Sequence, residues 1–408
     1  MRPLRILWVK VGGLWPLHTG GRLRSFHILS ELARLHRVTL MTTHGPGERP
    51  DDLAGRLPQC ERVTSFPYAA PKLGSVGFAR AVAGSWLSPL PVDLWKWQVP
   101  PVREAVRRML AAREVDLCVA DFLYTTPNVP LAGPVPTIFF DHNVEHVIWK
   151  RLSQVESTRW RRLLLEVEWR KMRRAEIRAC LQARLTIAVS ELDRRLLATD
   201  APGAAIRSIP TGVDTAFFVP NGSHEASASL AFIGSMDWYP NEDAILHFIH
   251  AVLPEIRRRV PEVSLTVVGR NPTARLRGAA ADAAGVRVTG TVDDVRPYVS
   301  EAAVVVVPLR VGGGTRLKIF EALAMAKAVV ATGVGAEGLP LIPGTHYLRA
   351  DAPADFARAV VALLEDPVQR KTLGAAGRRL VEERFAWASI ARKFAARCDE
   401  VVSAEATR

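Results

Sequence analysis

Short runs of apolar, often β-branched residues recur along the chain, and helical patterns separate them. In the first half the runs fall at residues 4–10, 38–43, 115–121, 137–141 and 185–190. In the second half they fall at 230–234, 264–269, 286–289, 304–308 and 328–332. Continuous apolar runs of this length predict strands buried on both faces. Amphipathic stretches such as 22–35 and 102–112 predict helices between them. Strand, helix, strand at this spacing means parallel sheets with crossover helices. Each half opens alike, with an apolar strand and then a glycine turn: ILWVKVGG near the start and LAFIGS from Leu230. The expected fold class is therefore α/β, with two tandem doubly wound, Rossmann-like domains and an interdomain cleft. Such sheets bind ligands beyond the carboxyl ends of their strands. Turns at Ala201-Pro202-Gly203 and Pro210-Thr211-Gly212 place the boundary, with a first domain at 1–204 and a second at 205–384. A C-terminal helix within 385–408 is expected to pack back on the first.

Composition narrows the class. The 408 residues are 48% hydrophobic and 23% charged, enough for two sizeable cores. No apolar run reaches transmembrane length, so a soluble, cytoplasmic protein is expected. Four scattered cysteines with no CxxC pair argue against a zinc site or a disulfide framework. The net charge of +13 is mostly arginine. It reflects either a codon bias or a partner that is polyanionic, phosphate-bearing or an acidic membrane. No zinc-finger, homeodomain or RNA-recognition signature is present, and no nucleic-acid partner is expected.

The most informative joint is PLRVGGGTRLKIFEALA, from Pro308. A buried strand ends there, three glycines follow, Thr315 stands as a candidate N-cap, and a helix begins. Arg316 and Lys318 then lie in the first helical turn, where the helix dipole disfavours cations. A bound diphosphate reverses that: exposed backbone N–H groups and two cations make an anion site. Glu321, one turn further, is placed to accept hydrogen bonds from paired sugar hydroxyls. The plainer alternative is that Arg316 and Lys318 are solvated and Glu321 pairs with Lys318. A P-loop is excluded, because its Gly-x4-Gly-Lys-Ser/Thr pattern is absent.

The stretch PLRVGGGTRLKIFEALAMAKAVVATGVGAEGL resembles the donor-binding region of retaining GT-B-type glycosyltransferases of family 4. FFDHNVEH, TIAVSELDRRLL, SIPTGVDTAFF and AFIGSMDWYPNEDAILHF resemble that family's successive landmarks, in order and over most of residues 1–385. The resemblance implies transfer of a sugar from a nucleoside-diphosphate sugar, with the acceptor on the N-terminal domain and the nucleotide on the C-terminal one. It implies Glu321 at the ribose, and Arg316 and Lys318 at the diphosphate. Gly313, Gly314, Thr315 and Gly234 line the donor by the same comparison, and Thr291 and Val292 lie near the base. Gly20 and Gly21 match the N-terminal loop that approaches the donor. His142 matches a histidine lining the donor sugar, although with Asn143, Glu145 and His146 it also reads as a local turn network. Arg24 and Asn143 are weaker, acceptor-side candidates. Asp-x-Asp, the metal–diphosphate pair of the other large glycosyltransferase fold, is absent. Metal independence and no cofactor are therefore expected.

Two positions depart from the family. A glutamate usual eight residues before Glu321 is here Gly313, and the turn GSMDWYPN lacks the usual Arg and Lys. Two rival readings remain, a sugar-nucleotide epimerase and a non-catalytic nucleotide-binding or partner subunit. The acceptor expected is a glycan or lipid-linked sugar in exopolysaccharide or cell-surface polysaccharide assembly. Residues 149–180 read as a basic amphipathic helix, suited either to peripheral contact with an anionic inner membrane face or to a core-facing helix pair.

Overall fold

The computed structural model describes residues 2–17, 19–156, 158–222, 225–311 and 317–406. The chain divides into two compact units, Met1–Thr211 with Ala388–Arg408, and Gly212–Trp387.

The first unit carries a seven-stranded parallel sheet in the order β3-β2-β1-β4-β5-β6-β7. Its strands are β1 (Arg5–Lys10), β2 (Arg37–His44), β3 (Arg62–Pro67), β4 (Leu117–Asp121), β5 (Thr137–Phe140), β6 (Leu185–Ala188) and β7 (Ile206–Ser208). Every residue of β4, β5 and β6 is buried, as expected of strands covered on both faces. β7 extends the sheet past residue 204 through its pairing with β6. The C-terminal helix Trp387–Ala406 returns to this unit, where Phe394 packs 5.4 Å from Trp8 and 5.2 Å from Phe140.

The second unit repeats the plan with six parallel strands, ordered β10-β9-β8-β11-β12-β13. They are β8 (Ser229–Ile233), β9 (Ser264–Val268), β10 (Val286–Val288), β11 (Val304–Val307), β12 (Ala328–Ala331) and β13 (Leu348–Arg349). The α/β expectation therefore holds, with two doubly wound units.

Both sheets reverse direction beside their first strand, between β1 and β4 and between β8 and β11. Loops leave in opposite directions at such a switch point, so the carboxyl ends of those strands border a crevice.

Residues 149–180 form two helices rather than one. Glu145–Val155 ends before Glu156, and Arg159–Gln182 begins after Thr158. Trp149 packs against the core, and the Trp169 indole donates to Glu166 at 2.6 Å.

Candidate functional site

In the second unit the switch point gathers Gly234, Lys318 and Glu321. Gly234 follows β8 directly, its N–H donating to the Val268 carbonyl at 2.9 Å. A Cβ on Gly234 would lie 2.8 Å from both Lys318 Nζ and Asn241 Nδ2, so the bare backbone makes room for the lysine. Lys318 sits in the helix Leu317–Ala324, donates to Asn241 Oδ1 at 2.7 Å and lies 4.1 Å above the Phe232 ring. Asn241, buried, donates in turn to the Ser235 carbonyl at 2.8 Å. These contacts hold the ammonium at the carboxyl end of β8.

Glu321 is one turn along the same helix. Its carboxylate has no hydrogen-bond or ion-pair partner among the described residues, and Lys318 acts on it only through its charge, one turn away. Burial pushes its pKa up to about 7, against the pull of Lys318. A desolvated carboxylate without partners is suited to accept from ligand hydroxyls. Gly313, Gly314, Thr315 and Arg316 lie outside the described residues. Gly290 follows β10 with φ +75°, with Thr291 exposed and Val292 half-buried beside it at the same edge of the sheet.

The turn after β8 is not without a cation. Arg270, at the carboxyl end of β9, donates through Nε to Ser235 Oγ at 2.6 Å and lies 3.7 Å from the Asp237 carboxylate. A guanidinium thus enters that turn from the neighbouring strand. An arginine two residues beyond the last valine of β9 was a readable signal.

In the first unit the helix Gly20–Leu32 starts at Thr19, whose hydroxyl accepts from the Arg22 N–H. A Cβ on Gly21 would sit 3.5 Å from His142 Nδ1, so the helix start and the end of β5 meet. Gly20 is exposed beside it. His142 is buried, with Nε2 2.8 Å from Asp121 Oδ1. Burial lowers its pKa to about 3, so the imidazole is neutral.

Asp121 is the hub of this end of the sheet. It accepts from Trp8 Nε1 at 2.8 Å and Lys10 Nζ at 3.2 Å. Burial alone would raise its carboxyl, but the Lys10 ammonium and the hydrogen bonds outweigh it and hold it ionised, well below the usual range. Lys10 ends β1 and Asp121 ends β4, on either side of the switch point. Neither stood among the candidates from the sequence, although a charged residue closing a mostly apolar strand is a signal.

Arg24 is buried, its Nε donating to Thr211 Oγ1 at 2.8 Å. Desolvation lowers it to about 10, opposed by Asp121, Asp193 and Asp141. Asn143 donates to Glu145 Oε1 at 3.2 Å. The turn network is real: Glu176, from the Arg159–Gln182 helix, accepts from the Glu145 and His146 backbone N–H groups and contacts the His146 ring. That carboxylate caps the Glu145–Val155 helix.

Two family models match. Residues 20–217 fit "Glycosyltransferase Family 4" and residues 227–366 fit "Glycosyl transferases group 1". The chain belongs to the GT-B glycosyltransferases of family 4. This family-4 chain is 33% identical over 218 residues to a phosphatidyl-myo-inositol mannosyltransferase of Mycobacterium tuberculosis, a match covering 50% of this chain and 56% of the relative. The match thus spans little more than half the length of that relative. An uncharacterized protein of the cps region of Klebsiella pneumoniae is 21% identical, over 88% of this chain and 90% of the other. Among solved structures, sucrose-phosphate synthase from Thermosynechococcus elongatus matches with TM-score 0.74 at 18% identity, covering 98% of this chain and 100% of that one. Anabaena HepE in complex with UDP and glucose matches with TM-score 0.66 at 15% identity, covering 97% and 99%. At such identities these two establish the fold alone. Among the described residues no group of His, Cys, Asp and Glu is arranged to hold a metal ion, and no helix is long and apolar enough to cross a membrane.

Proposed function

We propose that this chain transfers a glycosyl group from a nucleoside-diphosphate sugar to a glycan or lipid-linked acceptor, with retention at the anomeric carbon. The observation that carries the reading is Glu321, a desolvated carboxylate without a partner among the described residues, one turn from a lysine anchored beside Gly234. Glu321 accepts from the ribose hydroxyls. Lys318 and Arg316, with the backbone of Gly313, Gly314 and Thr315, meet the diphosphate, while Thr291 and Val292 adjoin the base. Gly20, Gly21 and His142 line the transferred sugar, and Arg24 and Asn143 stand on the acceptor side.

In this reading the bond from the anomeric carbon to the leaving phosphate breaks, and a bond to the acceptor oxygen forms on the same face. The acceptor proton passes to the departing phosphate oxygen. Preorganised positive charge is the main lever, because negative charge grows on the leaving diphosphate. The cations supply that charge without a metal ion. The relatives named for phosphatidyl-myo-inositol and for the cps region favour a lipid-linked or polysaccharide acceptor at a membrane face.

A thermal-shift panel of UDP, GDP, ADP and their sugars tests the donor reading. Stabilisation by one nucleotide family, followed by sugar transfer in excess EDTA, is expected; no response to any of them contradicts it. A non-catalytic binding subunit is the second reading, favoured by Gly313 where the family usually carries a glutamate. A catalyst hydrolyses its donor slowly without acceptor, and a binding subunit does not.

A further inference from the structure

The first unit contains a cavity of about 340 Å³ away from the residues described above. It lies between the segment leading into the short helix Val92–Trp95, the turn Leu123–Asn128 and the long helix Arg159–Gln182. Leu90, Leu94 and Leu131 give it an apolar floor, and Lys171, Arg174 and Arg178 line its side. No carboxylate lines it. Arg174 and Arg178 are exposed and have no ion-pair or hydrogen-bond partner among the described residues. Glu168, on the same helix, is turned inward and accepts from the Val92 N–H at 2.7 Å.

The long helix continues the feature outward. At 3.6 residues per turn, Trp160, Leu163, Val167, Lys171, Arg174 and Arg178 fall within one stripe roughly 80° wide. Its first half is apolar yet in solvent, with Trp160 60% and Leu163 68% exposed. Lys171 Nζ donates to the Ser85 carbonyl at 2.7 Å, which fixes the neighbouring chain at the cavity. There Trp86 is 64% and Leu87 93% exposed. Exposed apolar side chains beside a basic, apolar-floored cavity match a molecule with an acidic head and a hydrocarbon body.

We propose that this cavity binds the phosphate headgroup of an acidic membrane phospholipid, with Arg174 and Arg178 on the phosphate and Leu90 and Leu131 against its glycerol and upper acyl carbons. The apolar half of the stripe and Leu87 enter the bilayer beside it. The inference rests on the membrane-face part of the proposed function and adds a shaped site to it.

Sedimentation with phosphatidylcholine vesicles, with and without phosphatidylglycerol, tests the site. The protein should bind only the vesicles containing phosphatidylglycerol. R174E/R178E should weaken binding by about thirtyfold or more, since each cation near an anionic surface contributes about a factor of five. R49E/R56E changes the charge equally at exposed positions around the helix Pro50–Arg56, beside the edge strand β3, and should have a much smaller effect. A175F leaves the charge unchanged and fills the cavity, so it should weaken binding as well. Equal losses in both charge-reversed proteins, or full binding by A175F, would overturn the site. Unchanged thermal midpoints and nucleotide responses in the variants would show that they fold. A failure of nucleotide binding in the wild type would instead count against the donor reading and leave the vesicle result to be judged separately.

Discussion

His142 Nε2 lies 2.8 Å from Asp121 Oδ1, and both side chains are buried. The same carboxylate receives Trp8 Nε1 and Lys10 Nζ. One acid thus closes β4, neutralises a buried lysine and lies against the histidine beside Gly21.

Asp121→Asn should destabilise the first unit by about 3–5 kcal/mol, because it strands a buried ammonium. D121N/K10M should recover part of that loss. Urea unfolding measures both. A loss below about 1 kcal/mol would mean that Lys10 reaches water when its partner goes.

The buried histidine sets an acid limb. Its pKa in the fold is about 3, and about 6.5 in the unfolded chain. The unfolded state therefore takes the proton first. The stability from keeping His142 neutral is full above about pH 6.5 and is lost as pH falls toward 3. Urea midpoints across this range should fall less steeply in H142Q than in the wild type. Parallel curves would assign the acid limb to other groups.

Around Lys318 the requirement is space. Gly234→Ala places a methyl 2.8 Å from the ammonium and should displace it, while K318M removes the charge. Each should weaken nucleotide-diphosphate binding by about ten- to a hundredfold, the range of one charge-assisted hydrogen bond. Calorimetry reads this directly. Wild-type affinity in both proteins would remove Lys318 from the site.

Much of this was legible because the signals are local. Val304–Val307 reads as a two-sided buried strand, and Lys318 and Glu321 stand one helical turn apart, whatever surrounds them. Edge strands were harder. β3 is only half-buried, and β7 and β13 have three and two residues, too few to show a period. Long-range polar pairing was not legible. Asp121 meets Trp8 across 113 residues, and Glu176 caps a helix beginning 31 residues earlier. Nor does composition reveal that one helix stops at Val155 and the next starts at Arg159, because both carry basic and apolar residues.

If Glu321 holds the ribose of a nucleotide sugar, its proton affinity must change on binding. Burial holds the empty carboxyl near pKa 7, whereas hydroxyl donors favour its ionised form. Donor binding should therefore release a proton below about pH 7, and affinity should rise with pH toward that value and then level off. Calorimetry of the nucleotide sugar selected by the thermal-shift panel, from about pH 5.5 to 8 and in buffers of different ionisation enthalpy, measures both quantities. The wild type should release a proton and bind with pH-dependent affinity, whereas E321Q should bind about ten- to a hundredfold more weakly at pH 8 and without the pH dependence. Equal affinity and an identical pH profile in the two proteins would contradict it.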